Sequence, residues 1–415
     1  MRGKTLPLAV CGLTVSLLLT GCSSGFDEDS GKEQQKSGKQ ELKVLIATSG
    51  NAETDAVKKA AAGWEKSSGN TATVDIAQNI DQQLGQAFAG NNPPDVFYVS
   101  TDQFGTYAKA GSLYPYGDKI KQADAFSPAL TSAFTYQDKL YCAPKDQSTL
   151  GLAVNTDLWK KAGLTETDYP KTWAELESVA KKLTKDGVVG VSFNADYSQI
   201  GTFFKQAGGW LTNADQTKMT ATAKSNVEAL TYVKKLLKEG VLKFPKQLDA
   251  GWGGEAFGKG KAALTIEGNW LAGAMAKDFP KTPYKIVPLP EGPGGKGTMA
   301  FTNCWGISAK SKHHDAAVDL INELTSDSNQ LTFARTIGVM PSKQTLIDQY
   351  KEQNPKSQAW ADGSAYAQLP VNATGMRQVM AEFNTSLEQL ASSDPAKLLG
   401  DLQKNGESVL GGSGR

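Results

Sequence analysis

The chain has 415 residues, 21% of them charged, with a formal net charge of +1. Neither a basic stripe, nor zinc-ligand spacing, nor aromatic-basic alternation is present, which excludes the usual nucleic-acid readers. The only histidines, His313 and His314, adjoin each other before Asp315. They read as a solvated helix start, and with no other His a Ser-His or Cys-His nucleophile is nearly excluded.

The chain opens with Arg2 and Lys4, then a mostly apolar run from Leu6 to Leu19 and Leu19-Thr20-Gly21-Cys22. That layout is a secretory signal peptide over residues 1–21, its apolar run too short to span a bilayer. Its last four residues resemble the bacterial lipobox, which implies lipid on Cys22 and attachment to the outer face of the cell membrane. Several acyl chains on one cysteine hold firmly, since each buried CH₂ contributes ~0.8 kcal/mol. The alternative is an ordinary secreted protein with a chance Cys at the cleavage site. Residues 22–41, rich in Ser, Gly, Gln, Lys and acids with Phe26 the one large apolar side chain, read as a flexible tether.

The body is long enough for two domains. Leu42 to Ala47 reads as a strand, Thr48-Ser49-Gly50-Asn51 as a turn, and the next segment as a helix with Val57, Ala61 and Trp64 on one face. Thr71 to Ile76 is a second strand, followed by a Gln-rich helix with Leu84 and Phe88. Asp95 to Val99 is an apolar strand buried on both faces. Strand, helix, strand, helix, strand predicts a parallel sheet with crossover helices. Further on, Leu140 to Pro144 and Leu150 to Val154 are short extended segments, and Asp157 to Ala162 is a helical turn. Thr172-Trp173-Ala174-Glu175 is a capping box before Leu176, Val179, Ala180 and Leu183. Ser225 to Glu228 repeats the box before Val227, Leu230, Val233 and Leu237. Ala262 to Glu267 and Phe301 to Ser308 are strands, a turn-rich loop lies near Pro288 to Gly295, and Ala316 to Leu324 is a helix. There is no internal repeat.

Two glycine motifs fail. Gly251-Trp252-Gly253-Gly254-Glu255-Ala256 fits G-x-G-x-x-A by letter but follows no strand, and Lys296 in the 292–298 loop is followed by Gly297 rather than Ser or Thr. No cofactor is implied. With Cys11 removed in the signal and Cys22 lipidated, Cys142 and Cys304 remain. An even pair in an oxidising compartment suggests a disulfide, two buried free thiols being the alternative.

Five segments carry a family resemblance. They are Pro93-Pro94-Asp95-Val96-Phe97 with Asp102-Gln103-Phe104 and Tyr107 to Leu113; Leu140 to Trp159; Thr172 to Leu176; Phe257-Gly258-Lys259-Gly260-Lys261-Ala262-Ala263-Leu264 with Gly268-Asn269-Trp270; and Ile307-Ser308 leading into Asp315-Ala316-Ala317. In order and spacing the chain resembles the extracellular solute-binding proteins of the maltose-binding family, which feed sugars to ABC importers. The resemblance implies an α/β, two-lobed, periplasmic-binding-protein-like (type II) fold with ligand in the cleft between lobes. One lobe would be 42–146 with 308–352, the other 147–307 with 353–410, joined by strands at Tyr141–Pro144 and Phe301–Ser308. Cys142 and Cys304 would lie on those neighbouring strands.

The implied partners are a small-molecule carbohydrate, read as an oligosaccharide, and ABC permease subunits, with the receptor itself a monomer. A sugar needs aromatic rings for its C–H faces and fixed polar groups for its hydroxyls. The polar candidates carried over are Asn51, Asp102, Gln103, Asp146, Ser148, Asp196, Asn303 and Arg377. Gln103 stands where the maltose-binding member has a basic residue, which argues against maltose itself. Asp102 could instead be a helix N-cap, and Asp146 and Ser148 could be turn residues. Among aromatics, Trp270 is the leading platform, with Trp210 and Trp252 also loop-borne; Trp64, Trp159 and Trp173 read as core. The competing readings are an exported glycosidase working with two acids, and a receptor for a peptide, polyamine or metal.

Overall fold

The computed structural model describes residues 38–47 and 51–412. The expected signal peptide, Cys22, most of the tether and the turn at 48–50 lie outside the described residues. Strand β1 (Glu41–Ile46) alternates exposed and buried positions, sending Leu42, Val44 and Ile46 inward. The chain is tied down just before it: Gln40 donates to Asn70 and accepts from the Thr71 amide, so order begins ahead of Leu42. Helix α1 (Asn51–Ser68), β2 (Thr71–Ile76), α2 (Ile80–Ala89) and β3 (Val96–Ser100) follow. Strands β1, β2 and β3 pair in parallel, in the order β2-β1-β3. A helix, α3 (Thr101–Lys109), leaves the end of β3 directly. Its N-cap is Ser100, so Asp102 lies in the first turn rather than capping it.

Three chain crossings divide the body. The short β4 (Ala143–Pro144) belongs to the first sheet and β5 (Ser148–Asn155) to the second. The second sheet also holds β6 (Val189–Ser192), β7 (Leu242–Lys243), β8 (Ala262–Gly268), β9 (Tyr284–Val287) and β10 (Thr298–Phe301). Strand β11 (Asn303–Ile307) then returns to the first sheet, antiparallel to β3 and β4. The continuous strand expected over Phe301 to Ser308 is therefore broken at Thr302. Its two halves bond to different sheets, and no single straight strand can serve both. The five-stranded order is β2-β1-β3-β11-β4, and β5, buried along its whole length, is central to the seven-stranded sheet.

Each sheet has its own core. Val57, Ala60, Ala61 and Trp64 of α1 pack with Trp305, Ile307 and the helix His314–Leu324 beside the first sheet. Leu152 and Val154 pack with Trp159, Trp173, Leu176, Phe203 and the C-terminal helices Met376–Leu387 and Pro395–Gly412 beside the second. Replacing a core Leu such as Leu152 by Ala would cost about 2–5 kcal/mol in such packing. Within 308–352, residues as far as Val339 pack with the first core, whereas Met340, Ile347 and Tyr350 pack with Phe257 and Leu271 beside the second. The chain crosses back there, bonding Met340 to Gln147 in both directions.

The box at Ser225 is not used. The helix Lys224–Lys238 starts earlier, uncapped by any side chain, because Asn226 is buried and donates to the carbonyls of Trp210, Thr220 and Ala221. That turns Leu236 rather than Leu237 inward. At Thr172 the hydroxyl does accept the Glu175 amide at 3.3 Å, but the Glu175 carboxylate takes the Lys171 amide.

Candidate functional site

Where the two sheets face each other at the crossings lies a cavity of about 420 Å³. The first sheet supplies Ser100, Thr101, Asp102 and Asn303; the second side supplies Asp196, Phe301, Arg377 and Asn384. Four of the expected site residues, Asp102, Asp196, Asn303 and Arg377, thus share one space. A larger cavity of about 690 Å³ adjoins it through Asp196 and Asn384. All its walls come from the second side, however, so movement of the two sides could not close it on a ligand. The smaller cavity has the geometry for that.

The polar groups are pre-set. Asp196 caps the helix Tyr197–Gln206, accepting the Ser198 amide at 2.6 Å, and its other oxygen accepts Asn384 Nδ2 at 3.1 Å. Arg377 reaches across from the second side: its Nε lies 3.2 Å from Asp102 and its terminal nitrogen 2.7 Å from Asp81 on α2. Asn303 sits opposite Ser100 in the β11–β3 register. Its carbonyl takes the Lys145 amide at 2.9 Å, leaving the side-chain amide to face the cavity.

The aromatic wall is Phe301; Trp270 does not line the cavity itself but meets the Phe301 ring edge-to-face at 5.5 Å. Trp270 opens the helix Trp270–Asp278 and is 40% exposed, against 8% or less for Trp64, Trp159 and Trp173. Its indole N–H donates to Glu267 at 2.9 Å.

The remaining expected residues are placed elsewhere. Asn51 is exposed at the start of α1, and Gln103 is buried on α3. Trp252 lies over Gly254 and packs with the Phe257–Leu271 cluster, while Trp210 packs on the large core with its ring against Gly201. Ser148 is buried at the start of β5. Asp146 is buried at the first crossing, where Lys145 bonds it and also Glu53, the latter at 3.0 Å. Burial raises the Asp146 carboxyl above its usual range, against the pull of Lys145. Burial pulls the Lys145 ammonium down, but Asp146, Tyr98 and Glu53 together leave it well above its usual value. Cys142 and Cys304, on the same two crossing segments, are disulfide-bonded with Cα atoms 5.5 Å apart.

Sequence reasoning missed Tyr197, Met380 and Asn384 as lining residues, since nothing in a helix's own sequence announces the cavity it faces. It also missed Glu267, for which there was a signal: an acid ending the otherwise apolar run Ala262-Ala263-Leu264-Thr265-Ile266.

Two lobes, chain crossings between them and a cavity walled by both define a type II periplasmic-binding-protein-like receptor. Residues 52–367 match the family model of the bacterial extracellular solute-binding proteins, and the chain belongs to that family. It is 26% identical over 378 residues to the diacetylchitobiose binding protein DasA of Streptomyces coelicolor, covering 87% of this chain and 85% of that one. To the galactooligosaccharide-binding protein of Bacillus subtilis it is 25% identical over 406 residues, covering 93% and 92%. The fold is similar to the ABC substrate-binding protein Lmo0181 from Listeria monocytogenes, solved in complex with cycloalternan. That match has a TM-score of 0.79 at 23% identity, over 90% of this chain and 100% of the other.

Proposed function

We propose that this chain captures a carbohydrate in the cavity between its lobes and delivers it, without turnover, to the permease of an ABC importer. The observation that carries the reading is the make-up of that cavity: polar edges from both sides, Asp102 and Asn303 against Asp196 and Asn384, beside the Phe301–Trp270 pair. Hydroxyls suit the first set and a sugar's C–H face the second. Two relatives named for oligosaccharides favour such a cargo over a peptide or polyamine. A ligand touching both walls binds best when they approach, so its differential contacts would shift the protein toward a closed state for docking on the permease.

Calorimetric titration and thermal shift with N,N′-diacetylchitobiose, galactooligosaccharides, maltooligosaccharides, a tripeptide and spermidine test the reading. Ligand at a hundred times its Kd would add about 2.7 kcal/mol of stability. A clear shift with the peptide or spermidine and none with any sugar overturns it. Hydrolysis of the bound sugar would move it to the glycosidase class.

We further read Cys22 as lipidated, with the following polar stretch holding the receptor near its transporter at high local concentration. Cys22→Ala should then abolish labelling by a palmitate analogue and release the protein into the medium. Retention of the label would refute the anchor.

A further inference from the structure

Glu267 is 2% exposed at the end of β8. Its Oε2 accepts the Trp270 indole, while Oε1 is buried with no hydrogen-bond partner. The elements packed around it bring neutral groups. These are Gln199 from the helix Tyr197–Gln206, Gly253 and Gly254 from the helix Gly253–Gly258, Gly151 opposite on β5, and Trp360, whose indole donates to the Glu267 carbonyl. The Gln199 side chain donates to the Ile266 carbonyl at 2.8 Å and accepts the Asn194 amide at 2.6 Å. Glu255, the acid of the Gly253–Gly258 helix, turns away to Lys259 and the Gly251 amide. Burial pushes the Glu267 carboxyl up to about 7, against the pull of the Trp270 indole, the Gln199 amide and the Gly254 backbone; no charged side chain contributes.

The indole is braced on two further sides. A Cβ on Gly268 would run into the ring, so the ring lies directly on backbone. Phe301 meets it edge-on. An unbraced Trp would have to be ordered by its ligand, at a cost to affinity.

We propose that Glu267 is a positioning residue whose buried carboxyl clamps the Trp270 indole against Gly268 and Phe301, with its protonation state setting how tightly the ring is held. The inference rests on the carbohydrate reading for its ligand, but not for the clamp itself. An ionised carboxylate makes a hydrogen bond roughly twice as strong as a neutral one. The ring should therefore be held harder as pH rises through neutrality.

Trp270 can be observed as the fluorescence difference between the protein and its Trp270→Phe variant, without ligand. Its emission and local anisotropy should change with pH around a midpoint of about 7. Glu267→Gln keeps an acceptor oxygen and should flatten that profile. Glu267→Leu removes the acceptor and should give fast local ring motion at every pH. A pH midpoint that persists in Glu267→Gln, or wild-type anisotropy in Glu267→Leu, overturns the clamp. Should Glu267→Leu fail to fold by circular dichroism, the Glu267→Gln profile decides alone. With N,N′-diacetylchitobiose or maltotetraose as probe, Glu267→Leu should bind roughly five- to tenfold more weakly, the worth of one hydrogen bond. Failure of the wild type to bind any sugar sinks the carbohydrate reading, while the ligand-free anisotropy still decides the clamp.

Discussion

The first crossing and the end of β8 both bury carboxyls, and they do so by opposite means. At the first crossing, Asp146 and Glu53 share Lys145, which also lies over the Tyr98 ring at 4.7 Å. Gln330 ties the Lys145 carbonyl to Ser342, Ser342 holds the Pro144 carbonyl, and Thr302 donates to the Asp146 carbonyl at 2.6 Å. Three passages of chain are thereby lashed together beside the Cys142–Cys304 bridge. At the end of β8, Glu267 accepts the Trp270 indole N–H and has no charged neighbour. The difference is that compensated charge fixes register where the chain must keep its path. A lone carboxyl stays near its titration point and can respond to conditions.

Removing the compensation should break this contrast most severely. Lys145→Met leaves Glu53 and Asp146 buried without their shared cation, and the loss of one partner of a buried ion pair costs about 3–5 kcal/mol. Urea denaturation at neutral pH should show it as a lower midpoint. A loss within error would mean the crossing is held by backbone bonding alone.

Opening the bridge tests the same region by a covalent route. Its partners are 162 residues apart in sequence, and replacing both cysteines by Ser should cost about 2–4 kcal/mol. The oxidised protein should also show no thiol from Cys142 or Cys304 when unfolded without reductant; titration of both would refute the bond.

At the end of β8 the expected effect is a slope. The folded-state pKa of Glu267, about 7, lies above the ordinary 4.5, so the folded protein holds a proton that the unfolded chain has released. Its favourable contribution is complete below the ordinary value and is lost as pH rises toward neutrality. At about 1.4 kcal/mol per unit, the loss totals roughly 3 kcal/mol. Glu267→Gln should remove that component from the stability–pH curve, and an unchanged slope would show that the proton is held elsewhere.

The smallest change belongs to Arg377, whose side chain is 52% exposed. Arg377→Ala should shift stability by less than about 1 kcal/mol, as for other exposed ion pairs. In calorimetry it should weaken sugar binding, because Asp102 loses its partner across the cavity. A large stability loss with normal binding would assign the pair to scaffolding.

Much of the scaffold was legible locally. Leu42, Val44 and Ile46 alternate as a half-buried strand must, and Val57, Ala61 and Trp64 recur at helical spacing. The break at Thr302 was not legible, since Phe301 to Ser308 is apolar enough to read as one strand and only the two sheets divide it. Nor was the start of the helix at Lys224, which Asn226 sets through carbonyls outside its helix. Of the site, Asp102, Asp196, Asn303 and Arg377 came from the family resemblance, and the structure gathers them. Trp210 and Trp252 lay among glycines like Trp270 yet pack onto core, because a glycine-rich loop does not reveal which way its aromatic turns.

By itself the sequence determined the parallel β2-β1-β3 core and the family, since each depends on residue types at short, regular spacings. Only the tertiary structure decided which side chains meet. The 420 Å³ cavity draws on residues as far apart in sequence as Asp102 and Asn384. The state of Glu267 depends on burial among elements far apart in the chain and on the Trp270 indole N–H that it accepts. Hydrophobic periodicity records which face of an element turns inward; convergence of polar groups depends on distances that no local pattern records.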